Sequence, residues 1–151
     1  KSLLRHPKVV SSLTDFTSAN FQEVIDDSFV KAAAVKRVLF CTGKIYYELL
    51  EKQQLENRTD VAIVRIEQLY PSPVEQLKAI RAKYSKATDF IWVQEENENM
   101  GAWPHFCRIF RKTDLEFTDA ICRSASGSPA TGYMKQHVAQ QQAIINKAFE
   151  I

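Results

Sequence analysis

The feature that most restricts this chain is a change of hydrophobic period that recurs four times. Short β-branched or aromatic runs alternate with segments whose apolar residues return every three or four positions. "VKRVLFCT" (35–42) suits a strand buried on both faces. Gly43 then turns into a segment with Ile45, Tyr46, Leu49 and Leu50 on one side of a helix and Glu48, Glu51 and Lys52 on the other. "VAIVRIE" (61–67) repeats the strand signal. "YPSPVEQL" reads as a helix start, with Ser72 as cap, Pro73 at the first helical position and Glu75 completing a capping box. Val74, Leu77, Ile80 and Tyr84 mark the buried stripe of that helix. "DFIWVQEE" (89–96) leads into a helix from about Trp103, with Trp103, Phe106, Cys107 and Phe110 on one face. "AICRSA" (120–125) is the fourth strand, and Met134, Val138, Ile145 and Phe149 form the face of a terminal helix. Four such units predict an α/β fold: a parallel sheet, right-handed crossovers and helices on both faces.

Residues 1–34 differ, being polar and punctuated, with only "FQEVI" (21–25) able to make a short strand. They read as a lead-in arm with a possible edge strand, followed by an α/β domain over 35–151. A chain of 151 residues with 45% hydrophobic content can bury one core of its own. Its 20 Lys and Arg against 18 Asp and Glu are scattered, which gives no support to nucleic-acid binding. The apolar runs are too short for a membrane span and no signal-peptide pattern opens the chain, so a protein that is not secreted is expected. Cys41, Cys107 and Cys122 are odd in number and widely spaced, as reduced core thiols would be. "KSLLRHP", beginning at Lys1, reads as the continuation of a longer chain.

The stretch "VQEENENMGAW" (93–103) crowds Glu95, Glu96 and Glu98 with Asn97 and Asn99 at the end of the third strand. Ligands of open α/β sheets bind at the carboxyl ends of strands, so the position invites a site. Adjacent strand residues face opposite ways, however, so Glu95 and Glu96 are poorly placed to share a metal ion or a proton. Acids and asparagine also stabilise helix N-termini, so a structural cap accounts for the same residues. "CTGK" (41–44) lacks the first glycine and the hydroxyl of a phosphate-binding loop, and no three spaced glycines mark a dinucleotide site. "SASGSPATG" (124–132), with Arg123 and Lys135 beside it, would suit either an anion or a plain turn. His6, His105 and His137 lie on different elements and imply no nucleophile and base pairing.

"RIEQLYPSP", "WVQEENENMGAW", "SPATGY" and "HVAQQQ", in that order and together with "VKRVLFCTGKIYYELL", resemble the C-terminal domain of the first, decarboxylating component of 2-oxoglutarate dehydrogenase. More broadly they are similar to C-terminal domains of transketolase-like enzymes. That kinship implies a three-layer α/β/α fold whose mostly parallel sheet has about five strands, one antiparallel, with "FQEVI" as the candidate for the odd strand.

For the intact enzyme the resemblance implies an oxidoreductase of the citric acid cycle. Thiamine diphosphate and magnesium, held by upstream domains across a homodimer interface, decarboxylate 2-oxoglutarate. The succinyl group then passes to lipoamide on the dihydrolipoyl succinyltransferase core of a multienzyme complex. The Gly-Asp-Gly and Asn set that binds metal and diphosphate is missing here, so the resemblance implies a non-catalytic domain without cofactor of its own. Its roles would be dimer completion, shaping of the active-site entrance and binding of an effector, which in some actinobacterial relatives is acetyl-CoA. Lys44, Arg65, Arg123 and Lys135 are the candidate cations at the carboxyl edge. Glu67, Glu95 and Glu96 are acids at the same edge, and an internal ion-pair network would account for both sets. The compartment would be the bacterial cytoplasm or, in a eukaryote, the mitochondrial matrix. The alternatives are a C-terminal domain of another transketolase-like thiamine enzyme and a free-standing α/β binding module.

Overall fold

The computed structural model describes residues 3–17, 20–113, 115 and 117–151; Lys1, Ser2, Ser18 and Ala19 of the expected arm lie outside them. Five strands form one sheet in the spatial order β1–β3–β2–β4–β5. They are β1 (Val24–Ile25), β2 (Arg37–Cys41), β3 (Val61–Ile66), β4 (Asp89–Asn97) and β5 (Asp119–Arg123). β2 is parallel to β3 and β4, and β4 to β5, whereas β1 runs antiparallel to β3. This is the mostly parallel sheet that the alternation and the resemblance predict, and the antiparallel strand falls within "FQEVI". The helices are α1 (Leu13–Thr17), α2 (Ile45–Leu55), α3 (Val74–Lys83), α4 (Trp103–Phe110) and α5 (Met134–Ala148).

The two-residue period of the strands divides the core. Val38 and Phe40 of β2 point to the face covered by Leu77 of α3 and Phe106 and Phe110 of α4. Leu39 and Cys41 point to the face covered by Ile45 and Leu49 of α2 and Ile144, Ile145 and Ala148 of α5. Every position of β2 is buried, and removing each of its large apolar side chains from water contributes about 1.5–3 kcal/mol.

A single crossover hand then fixes which face each helix takes. From β2 to β3 the chain steps one way across the sheet, and from β3 to β4 to β5 it steps the other way. Equal-handed connections therefore put α2 on the face opposite α3 and α4, as the two clusters show. The segments leaving β2 and β4 part toward opposite faces, which opens a crevice between those neighbouring strands at their carboxyl ends.

Two expected details differ. Ser72 does not cap α3, which starts at Val74 after Pro73 and has no side-chain cap. Its hydroxyl donates to the Leu69 carbonyl at 2.9 Å, and Glu75 pairs with Lys78 rather than closing a capping box. Met134 and Val138 were expected on the buried face of α5, yet they are 76% and 56% exposed. β5 ends at Arg123, so the first turns of α5 overhang the sheet, and burial begins at Gln141.

The arm is fastened by Asp27. One carboxylate oxygen accepts from Gln53 Nε2 and from the Ile63 amide, both at 2.8 Å, where β3 has run past the end of β1. The other accepts from the amides of Phe29 and Val30. Asp27 thus replaces a missing strand partner for β3. Asp27→Ala leaves one of the two hydrogens of the buried Gln53 Nε2, whose other donates to the Val61 carbonyl, and a strand N–H without an acceptor, and is expected to lower unfolding free energy by about 2–3 kcal/mol in urea titration. A loss below about 0.5 kcal/mol would contradict this role.

Candidate functional site

The crevice between β2 and β4 is where an open α/β sheet ordinarily offers room for a ligand. Gly43, at φ +71°, takes the left-handed conformation that turns β2 into α2 and brings Lys44 to the rim. Glu95, near the end of β4, faces it across the gap. The Lys44 ammonium lies 2.6 Å from Glu95 and 2.6 Å from Glu48, so one cation closes the crevice with two carboxylates. Partial burial works against the Lys44 charge, but hydrogen bonds to Glu48 and Glu95 outweigh it and raise the ammonium above the ordinary lysine range.

Buried Gln141 of α5 extends the cluster. Its Nε2 donates to Glu48 at 3.0 Å and to Glu95 at 3.3 Å, and its Oε1 accepts from Arg123 Nη2 at 3.1 Å. The same Nη2 donates to His137 Nδ1 at 3.1 Å. Four elements, α2, β4, β5 and α5, are tied together at one end of the sheet. Among the described residues no carboxylate lies within ion-pair distance of Arg123.

On the far side of β2, Arg65 pairs with Glu67 at 2.8 Å, and its guanidinium sits over the Tyr46 ring at 4.4 Å from the centroid. Burial opposes the Arg65 charge, and Glu67 more than offsets it. The sequence-derived candidates thus gather as Lys44 with Glu95 and Arg65 with Glu67, with Arg123 joined to the first pair through Gln141. Glu96 alternates to the face of β4 opposite Glu95 and is exposed, and Lys135 is exposed on α5. Glu48, Gln141 and His137 belong to the cluster and escape a reading based on charged strand ends. Gln141 had a signal, since it interrupts the Met134, Val138, Ile145 stripe at helical spacing.

The acid-rich turn has a different organiser. Gln94, 2% exposed, accepts through Oε1 from the Trp92 indole at 2.9 Å and from the Trp103 amide at 3.0 Å. Its Nε2 donates to the carbonyls of Asn97 at 3.0 Å and Met100 at 2.8 Å. The amide is fully satisfied, and it braces the turn from inside. Asn97 donates to the Ser128 carbonyl and Asn99 exchanges hydrogen bonds with Ser126, which fastens the following loop to the turn. Gly101 is at φ +67°, and a Cβ there would stand 3.0 Å from Gln94 Oε1.

Among the described residues the Ser72–His105 pair is not aligned for covalent chemistry. Ser72 Oγ lies 3.1 Å from His105 Nε2, but both lie against the Leu69 carbonyl, at 2.9 and 3.2 Å. That acceptor holds the hydroxyl proton and calls for a protonated Nε2, so His105 is no base for Ser72. Among the described residues no three His, Cys, Asp or Glu side chains converge as a metal set. Burial pushes the Cys41 thiol up to about 12, so it stays protonated.

Comparison with known proteins adds a family. A family model described as 2-oxoglutarate dehydrogenase C-terminal matches residues 10–149. The 2-oxoglutarate dehydrogenase E1 component of Haemophilus influenzae is 44% identical over 98% of this chain and 16% of its own length. The oxoglutarate dehydrogenase of Buchnera aphidicola and the E1 component of Azotobacter vinelandii are 42% and 40% identical over the whole chain, which spans 17% of each. The chain therefore spans about one sixth of the length of these relatives.

Gln94→Met keeps the volume and removes all four hydrogen bonds. It is expected to cost about 2–4 kcal/mol of stability in chemical denaturation, because the buried Trp92 N–H loses its acceptor. A loss under about 1 kcal/mol would mean that the turn is held by something else.

Proposed function

The chain belongs to the 2-oxoglutarate dehydrogenase C-terminal family, and from that membership we propose that it serves as a non-catalytic domain of an enzyme that decarboxylates 2-oxoglutarate and succinylates lipoamide. The observation that carries this reading is the match of essentially the whole chain to one sixth of proteins with that name. The names of these relatives also favour a 2-oxoglutarate enzyme over another transketolase-like thiamine enzyme, and over a free-standing binding module.

Thiamine diphosphate and magnesium would be held by the rest of such a protein. The residues here do not fit them: Glu48 and Glu95 are already paired with Lys44 and Gln141, and no Gly-Asp-Gly segment is present. The proposed work of the domain is to complete the homodimer, shape the entrance to the catalytic centre and present its carboxyl edge to an effector. Residues 1–34 act as a strap and 35–151 as the body. Lys44, Arg65, Glu67, Glu95, Glu96, Arg123 and Lys135 define that edge. The assembled enzyme would deliver its succinyl group to a dihydrolipoyl succinyltransferase core, in the cytoplasm of a bacterium. No helix among the described residues is long and apolar enough to cross a membrane.

The test is reduction of a dye acceptor that depends on 2-oxoglutarate, with thiamine diphosphate and magnesium supplied. The full-length protein is expected to be active and the 151-residue chain inactive. Activity in the isolated chain, or silence in both, would overturn the assignment. In the full-length protein Arg65→Ala is expected to change kcat/KM or the effector response about fivefold or more. Unchanged kinetics with a lowered Tm would reduce Arg65 to an ion-pair partner of Glu67.

A further inference from the structure

We propose that the outer edge of β5 pairs with the same strand of a second copy, antiparallel about a two-fold axis at Ile121, so that the sheet continues into its partner. The inference rests on the proposed part of the domain in completing a homodimer and names the surface by which it does so. β5 (Asp119–Arg123) closes one side of the sheet, and among the described residues no strand pairs with its outer edge. Such an edge presents N–H and C=O groups that a second strand can take up. The opposite edge is blunted, since β1 is only two residues long. β5 has five residues with an Ala-Ile-Cys centre, and neither the lysine nor the proline that commonly guards an edge.

The charges of the strand select a second copy as the occupant. In an antiparallel pair centred on Ile121, Asp119 stands opposite the partner's Arg123 and Ala120 opposite the partner's Cys122, and symmetry repeats both contacts. Directly opposed residues have Cβ atoms about 4.5–5.5 Å apart, and opposite charges there favour the pair. Among the described residues neither Asp119 nor Arg123 has an ion-pair partner: Asp119 is exposed, and Arg123 makes its side-chain hydrogen bonds to His137 and Gln141. Both lie on one face, since Ile121 between them packs on the α2 and α5 side and Arg123 reaches Gln141 of α5. A one-residue slip sets Asp119 opposite Cys122 or Ser124 and loses both charge pairs.

Both flanks of the edge leave room for the partner. On the α5 side a recess of about 200 Å³ lies between Ile121, Cys122 and Arg123 of the strand and Gln140, Ala143 and Lys147 of the helix. On the α4 side a recess of about 470 Å³ is bounded by Glu98, Trp103, Phe117, Ala120 and Cys122. A two-fold axis normal to the sheet keeps each face continuous, so α5 neighbours the partner's α5 and α4 the partner's α4. The half-buried rings of Trp103 and Phe117 then border the junction.

Disulfide trapping in the full-length protein tests the pairing. Ala120→Cys places a thiol opposite the native Cys122 of the second copy, within the Cα separation of about 4.4–6.8 Å that a disulfide spans. Under a mild copper oxidant this variant is expected to run mostly as a covalent dimer on non-reducing gels, and the wild type as a monomer. Adding Asp119→Arg, a change at an exposed position, sets like charges opposite one another twice and is expected to cut the yield about fivefold or more. A further Arg123→Asp restores opposite charges at both ends and should restore the yield. Light scattering of the same protein separates two kinds of failure. A dimer in solution that does not cross-link would overturn the β5 pairing and leave the proposed homodimer standing, whereas a monomer would remove both. Equal cross-linking with and without Asp119→Arg would also overturn the pairing.

Discussion

Everything in this structure depends on β2 having no surface of its own. It lies between two parallel neighbours and beneath helices on both faces, so its side chains from Arg37 to Cys41 are all buried. A strand in that position must be apolar along its length, and polar groups are displaced to its two ends. At the amino end Arg37 resolves the problem by pairing with Asp89 at 2.7 Å and donating to the carbonyls of Ala148 and Glu150. That one guanidinium closes the base of the sheet and satisfies the carboxyl end of α5, where positive charge is favoured by the helix dipole.

The carboxyl end meets the same constraint with more residues. Reversal of the crossover direction opens a crevice between β2 and β4, and Lys44, Glu48, Glu95 and Gln141 fill it, the two carboxylates sharing one ammonium and the Gln141 amide. A site that binds a metal diphosphate needs acids left free for the cation, and these are engaged. The engaged acids and the family membership both accord with the proposal that the domain supports a catalytic centre built elsewhere. Arg123 adjoins this set through Gln141, and its contact with His137 is a guanidinium donor facing a ring nitrogen, not an ion pair.

Much of the fold was legible because it rests on period. The four strand and helix alternations, the short strand in "FQEVI" and the stripes of α3 and α4 all follow from apolar spacing. What was not legible depends on where elements end in space. Met134 and Val138 carry the right spacing for α5, but only the length of β5 decides that no sheet lies beneath them. Ser72 has a capping sequence, yet the nearby Leu69 carbonyl takes its hydroxyl. At the carboxyl edge the charged residues could be named from strand ends, whereas their pairing could not, since Lys44 meets Glu95 across 51 positions of sequence. The uncharged organisers, Gln94 and Gln141, carry no charge signal, and only burial shows that they hold the turn and the cluster together.

The central claim is that the charges at the crevice are committed to one another. A double-mutant cycle of Lys44→Met and Glu95→Gln in the 151-residue chain, read by urea unfolding at neutral pH, tests it most directly. The structure predicts a favourable coupling of about 1 kcal/mol, the two changes together costing less than their sum. Coupling indistinguishable from zero would mean that the pair does not close the crevice, and would leave Glu95 free for a ligand.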